Sequence, residues 1–199
     1  LKRIGISSPI GKIVEFFPEL VLGVANGWLL LVMFFGAYAA TLISFPKEAL
    51  ARLYDRSGES ERPPVRRIVV VVVVFVWFVS MGLSPLKRGT LVFGLGMSMY
   101  LLGWMGFLAS LVTFRNTPVD QPVTGGLYNI SRHPQQMAVS VTFLGISIAI
   151  GSWTSLIITL LGILGAHGKI LAEEEACLKQ YGDSYRDYMK RIPRYFLFF

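Results

Sequence analysis

The sequence is short of cysteine, histidine and charge. Its single cysteine, Cys177, cannot close an internal disulfide, so no disulfide framework holds the fold. Its two histidines and scattered carboxylates contain no pair with convincing metal-ligand spacing, and no metal site is expected. Only 16% of the 199 residues are charged while 53% are hydrophobic, a balance that excludes an ordinary soluble domain of this length. The net charge of +7 does not point to nucleic acid, because the basic residues flank apolar runs instead of forming a stripe on a soluble face. A secretory leader is not expected either: Lys2, Arg3 and Lys12 precede a run that lacks a small-residue cleavage site and is too long for a signal core.

What remains is a series of apolar segments near the roughly 20-residue spanning length, the pattern of an all-α integral membrane protein with about five transmembrane helices. Residues 1 to 18 read as an interfacial arm. The first span is expected from Glu19 to Phe45 and contains Gly23-Val24-Ala25-Asn26-Gly27, a G-x-x-x-G pattern suited to close helix packing. A hydrophilic connection follows, in which Lys47 to Tyr54 suits a short amphipathic helix on the membrane surface and Arg62-Pro63-Pro64 a break. The second span, Ile68 to Leu83, opens with seven β-branched residues. A lone strand cannot satisfy its backbone in lipid, so a helix is expected there. The third span, Thr90 to Phe114, carries glycines at 94, 96, 103 and 106. A loop from Arg115 to Pro134 leads to a fourth span, Gln135 to Ile150. Gly151-Ser152 then turns the chain into a fifth, Trp153 to about Leu171, as an antiparallel hairpin. The chain thus reads as one membrane domain, 1–199. Residues 1–114 form an arm and three-span scaffold, and 115–199 a loop, hairpin and C-terminal helical tail.

Charge sets the expected orientation. Lys2, Arg3, Lys12, Lys87 and Arg88 fall on one side. Lys47, Arg52, Arg56, Arg62, Arg66, Arg67, Arg115, Arg132, Lys169, Lys179, Arg186, Lys190, Arg191 and Arg194 fall on the other. The positive-inside rule then places the N-terminus outside and the tail in the cytoplasm, with Arg132-His133 and the Glu173-Glu174-Glu175 run on the same cytoplasmic side.

The residues suited to chemistry cluster at the two ends of that hairpin. Three consecutive helical positions sweep about 200° of the helix, so at least one of Glu173, Glu174 and Glu175 must face the bundle. A solvated helix end is the plain alternative. Gly182 is expected to cap this helix, with Ser184 and Asp187 as a capping box restarting it and Pro193 as its stop. Arg132-His133-Pro134 marks a helix start whose free N–H groups favour a carboxylate or phosphate, although Arg-His-Pro alone also suits lipid headgroups. His167 suits packing or a helix–helix hydrogen bond. Tyr181, Tyr185 and Tyr188 fit either a membrane interface or the wall of a ligand site.

Taken in order, Gly126-Leu127-Tyr128, Arg132-His133-Pro134, a helical hairpin, Glu173-Glu174, Tyr181-Gly182, Tyr185, Tyr188 and Ile192-Pro193 resemble the isoprenylcysteine carboxyl methyltransferase and phospholipid methyltransferase superfamily over roughly residues 124 to 194. The resemblance implies methyl transfer from S-adenosylmethionine at the membrane surface to a lipophilic acceptor entering from the bilayer. That acceptor would be a prenylcysteine carboxylate, a phospholipid amine or a similar molecule. It implies cofactor binding by Gly126, Tyr128, Arg132, His133, Pro134, Glu173, Glu174 and Tyr181, and catalytic roles for Glu174, Lys169 and Arg132. The sequence departs from the superfamily at Gln135-Gln136, where a tyrosine is frequent two residues after the proline. It departs again at Lys169, where an arginine is frequent and lysine cannot offer a bidentate fork. Membrane sterol reductases share Arg-His-Pro, a cysteine placed like Cys177 and the Tyr-Gly pair, so an NADPH-dependent reductase is the alternative. A lipid-binding scaffold without catalysis is a third reading.

Overall fold

The computed structural model describes residues 14–55 and 63–196, so most of the expected interfacial arm lies outside the described residues. Among these residues the fold is all-helical: α1 (Trp28–Ile43), α2 (Lys47–Leu53), α3 (Pro64–Leu83), α4 (Leu91–Asn116), α5 (Pro134–Ala149), α6 (Trp153–Tyr181) and α7 (Asp183–Arg191), with one 3-10 turn at Gly126–Asn129. Local chemistry sets several boundaries. The Thr90 hydroxyl accepts from Phe93 N at 3.1 Å to start α4, and Ser152 does the same for Ser155 N at 3.1 Å to start α6. Gly182, with φ at +56°, closes α6 and opens α7 at once, a conformation that strongly favours glycine. The capping box expected at Ser184 and Asp187 does not form. Ser184 Oγ donates instead to Tyr181 O at 2.9 Å, and Asp187 pairs with Lys190 at 2.8 Å, because α7 is capped at Gly182, two residues before the N-cap that the box requires.

The β-branched run Ile68–Val74 is helical, as expected from the cost of an open strand in lipid. It also stays exposed along its length, together with Phe75 and Val76. An apolar surface of that extent suits lipid and not water. Two helices, α4 and α6, are long and apolar enough to cross a membrane by length and composition, whereas α1 and residues Arg67–Leu83 form shorter apolar helices. The remaining expected span, α5, has 16 residues, about 24 Å at 1.5 Å per residue, against a hydrocarbon core of about 30 Å. Pro134 and the turn at Gly151, with φ at +65°, set its ends. Thr142, Phe143, Gly145, Ile146, Ser147 and Ala149 are buried, which makes α5 the central helix of the bundle.

The tightest packing joins α4 to α5, and glycine allows it. A Cβ on Gly103 would sit 2.5 Å from Thr142 N and 2.7 Å from Ala138 O; one on Gly145 would overlap Tyr100 N and lie 2.7 Å from Gly96 O. Gly94 faces open space and takes no part. The G-x-x-x-G pattern at Gly23 and Gly27 does not lie within a helix. Asn26 donates to Val21 O at 2.5 Å and Leu83 O at 2.9 Å, ties the chain to the end of α3, and delays the first helix from Glu19 to Trp28. Gly27 still serves close approach, since its Cβ would overlap Met81 O.

The bundle therefore has two ends. At one, Glu15 N donates to Gly151 O at 2.8 Å, Glu15 Oε1 pairs with Lys87 Nζ at 2.9 Å, and Lys87 N donates to Ala149 O at 3.0 Å. At the other, α2, the loop after α4, the start of α5, the end of α6 and α7 come together.

Candidate active site

That second end is organised around one buried carboxylate. Of the three consecutive glutamates only Glu174 faces inward, 3% exposed, while Glu175 points out and pairs with Lys179 at 2.7 Å. Glu174 Oε1 lies 3.1 Å from His133 Nε2 and 2.9 Å from Arg132 Nε, the latter at an angle that makes no hydrogen bond. Glu174 Oε2 accepts from Arg194 Nε at 3.0 Å and Nη2 at 2.8 Å. The 100° advance per residue then leaves Glu173 beside its neighbour's cluster, its carboxylate 3.6 Å from His133 Nδ1 but largely open.

The tail is strapped onto this cluster. Arg132 N donates to Pro193 O at 3.0 Å, Arg132 Nη1 to Met189 O at 2.9 Å, and Ser131 Oγ to Arg194 O at 2.8 Å. Tyr188 donates to Tyr128 O at 2.7 Å, which fastens α7 to the 3-10 turn, and Gln135 Nε2 donates to the Tyr128 hydroxyl at 3.0 Å. Gly126 allows that turn: its φ is +55°, and a Cβ there would meet Thr113 Oγ1 at 2.7 Å. His167, for which packing or a helix–helix bond is expected, packs against the tail, its ring centre 6.0 Å from that of Tyr195 and its Nδ1 2.6 Å from the Tyr195 hydroxyl. The residue sequence reasoning missed is Arg194. It lies just past a helix-ending proline and reads as one more basic residue of the tail; the signal available was a cation immediately after the Ile192-Pro193 stop.

Burial and charge compete at His133. Removal from water works against its protonation, but the Glu173 and Glu174 carboxylates outweigh that and hold its pKa above the ordinary 6.5. Tyr128, Tyr185 and Tyr188 are pushed above the usual phenol range, first by burial, which keeps their hydroxyls protonated; that of Tyr188 donates to Tyr128 O, and that of Tyr128 accepts from Gln135.

Beside the cluster opens a cavity of about 420 Å³, within the roughly 300–1,000 Å³ usual for small-molecule sites. Tyr128, Arg132, His133, Lys169, Glu173 and Tyr181 line it, six of the expected site residues gathered from the loop and α6. Gly126, Pro134 and Glu174 do not. The first shapes the turn, the second starts α5, and the third stands behind the wall and holds Arg132 and His133 in place. Gln135 and Gln136, the positions that depart from the superfamily pattern, also face the cavity.

No curated protein matches the chain significantly in sequence. The sequence model of the phospholipid methyltransferase family does match, over residues 88–184, a segment that begins in the turn before α4 and ends in the first turn of α7. It thus includes the glycine-packed α4, which the sequence reading had set apart as scaffold, and stops short of Arg194. Over residues 88–184 the chain carries the phospholipid methyltransferase family's sequence, and that family belongs to the isoprenylcysteine carboxyl methyltransferase-like group of membrane methyltransferases.

Proposed function

We propose that the protein is an S-adenosylmethionine-dependent methyltransferase that acts on a lipophilic acceptor at the membrane surface. The observation that carries this reading is the meeting of Arg132-His133 with Glu173-Glu174 at the wall of the 420 Å³ cavity, inside the segment that matches the family. The donor set fits the cofactor's charges. The open carboxylate of Glu173 suits its cationic sulfonium and ammonium, and the cavity-lining tyrosine faces suit the sulfonium through cation–π attraction. The first-turn amides of Gln135 and Gln136, which have no intrahelical acceptor, suit its carboxylate together with Arg132. When bound, the cofactor supplies an electrophilic methyl group.

The chain's own contribution is alignment and exclusion of water. Glu174 fixes the Arg132 and His133 side chains, so that the cavity wall is set before any ligand arrives. The His133 ring stands between two carboxylates that favour its protonated form, and its Nδ1, 3.6 Å from Glu173, keeps that carboxylate along the wall. Lys169, one helical turn before Glu173, lines the same cavity as a point charge able to orient an acceptor group. We place five spans across the bilayer, with the N-terminus outside and the cavity at the cytoplasmic surface. The exposed apolar face of α3 and the count of basic residues on each side support this arrangement.

Equilibrium binding to the purified chain in detergent tests the reading, with S-adenosylmethionine and NADPH as the two ligands. Binding of the first, followed by transfer of a radiolabelled methyl group into total lipid or prenylcysteine extracts, is expected. Tight NADPH binding without affinity for S-adenosylmethionine would favour the reductase alternative, and binding of neither would favour a scaffold.

A further inference from the structure

The helix α2 precedes residue 88 and so lies outside the segment that matches the family, yet Arg52, Leu53 and Tyr54 from its last turn and end line the cavity. Arg52 makes an unusual set of contacts for a surface arginine. Its guanidinium carbon stands 4.9 Å from the ring centre of Phe114 at the end of α4 and 5.5 Å from that of Tyr181 at the end of α6. Its Nη1 donates to Pro118 O at 3.1 Å and its Nη2 to Gln121 O at 3.0 Å. Tyr181 adds a bond from its own hydroxyl to Val119 O at 3.2 Å. One planar cation thereby joins α2, α4, α6 and the 117–121 loop, whose continuation supplies Pro122 and Val123 to the cavity wall.

The two sides of the cavity differ in character. Tyr128, Arg132, His133 and Glu173 make one side polar. On the α2 side, Leu53 and Tyr54 connect to the apolar interior: the Tyr54 hydroxyl lies 2.9 Å from that of Tyr38, and the Tyr38 ring packs 5.5 Å from Phe107. We infer that Arg52 is a positioning residue that fastens this second side of the cavity as the wall for a lipophilic acceptor. The inference rests on the methyltransferase reading only in assigning that wall to the acceptor. Arginine is suited to the task because two parallel donors and a stacking plane come from one group, which lysine cannot reproduce.

Cys177 supplies a reporter, since it is the single cysteine of the chain and lines the cavity. Its rate of modification by a bulky maleimide, divided by its rate with N-methylmaleimide so that the thiolate fraction favoured by the Arg52 charge cancels, is measured for the detergent-solubilised full chain, for Arg52→Ala and for Arg52→Lys, beside the affinity of each for S-adenosylmethionine. Labelling of a half-buried thiol tracks the open population, so Arg52→Ala is expected to label about tenfold faster and Arg52→Lys to fall between it and the native chain. Affinity for S-adenosylmethionine is expected to stay within about twofold, because the polar side is held separately through Glu174 and Tyr181 keeps its own bond to Val119 O. Labelling of Arg52→Ala at the native rate overturns the brace. A loss of S-adenosylmethionine affinity in step with the faster labelling overturns the assignment of the wall to the acceptor. Should Arg52→Ala fail to fold, the Arg52→Lys rate decides alone, native labelling speed being the overturning result. If the native chain binds no S-adenosylmethionine, the methyltransferase reading fails, while the labelling rates still decide whether Arg52 holds the wall.

Discussion

Replacing Glu174 by glutamine removes the one buried charge on which His133, Arg132 and Arg194 converge, at 3.1, 2.9 and 2.8 Å. The amide keeps the shape of the carboxylate but turns one acceptor oxygen into a donor that faces other donors. Breaking a buried ion pair from one side costs about 3–5 kcal/mol, because the stranded partners stay desolvated. Arg194 retains 22% side-chain exposure and can turn toward water, which puts the loss near the low end, about 3 kcal/mol. For a chain of this length each kcal/mol moves a melting midpoint by about 2–4 °C, so Glu174→Gln is expected to melt about 6–12 °C lower. The assay is thermal unfolding in detergent of the native chain, Glu174→Gln, Arg194→Gln and the double variant. Arg194→Gln is expected to be milder, since Glu174 keeps two cations, and the two changes are expected to couple by about 1–3 kcal/mol in the double variant. A Glu174→Gln midpoint within about 2 °C of native, or strict additivity, would refute the idea that this carboxylate holds the site together.

Other parts of the account are open to equally direct tests. His133 is expected to titrate above 6.5 in histidine-labelled NMR, with a His167→Gln chain resolving the two signals. Because its folded-state pKa is raised, its stabilising effect is complete below about 6.5 and is lost as pH rises through the raised value, and a midpoint below 6.5 would contradict the pairing with Glu173 and Glu174. Gly145→Ala is expected to lower stability by about 1–3 kcal/mol through contact with the α4 backbone. Gly94→Ala, facing open space, is expected to be neutral or to gain up to about 1 kcal/mol, and equal melting midpoints for the two would argue against close α4–α5 packing. Gly182→Ala is expected to cost about 1–3 kcal/mol, because alanine must adopt φ near +56° between α6 and α7, and an unchanged midpoint would show that this junction relaxes freely.

Much of the site could be read from the sequence because it follows from helix geometry alone. Three glutamates in a row guarantee that one faces inward, and Glu174 does. The two-residue turn at Gly151-Ser152 brings the ends of the hairpin back together, which sets Arg132-His133 beside Glu173-Glu174. Which glutamate lines the cavity and which stands behind it depends on the phase of α6, and phase is not encoded locally; the resemblance gave both Glu173 and Glu174 to the cofactor, whereas only Glu173 lines the cavity. Arg194 was missed because its value lies in a contact 20 residues away. The first helix was expected to start too early, since an apolar stretch with two glycines looks helical until Asn26 finds carbonyl partners at Val21 and Leu83. The glycines of α4 are plain in the sequence, but only the facing backbone of α5 separates Gly96 and Gly103, which are in contact, from Gly94, which is not.

The most direct test of the central claim is the affinity of the purified chain for S-adenosylmethionine, compared with that of Glu173→Ala. The account predicts saturable binding to the native chain, competed by S-adenosylhomocysteine and not by NADPH. Glu173→Ala should weaken it about tenfold or more, because an open carboxylate beside a bound cation is a charge-assisted contact of about 1.5–3 kcal/mol. Native affinity in Glu173→Ala, or no binding to the native chain at all, would contradict it.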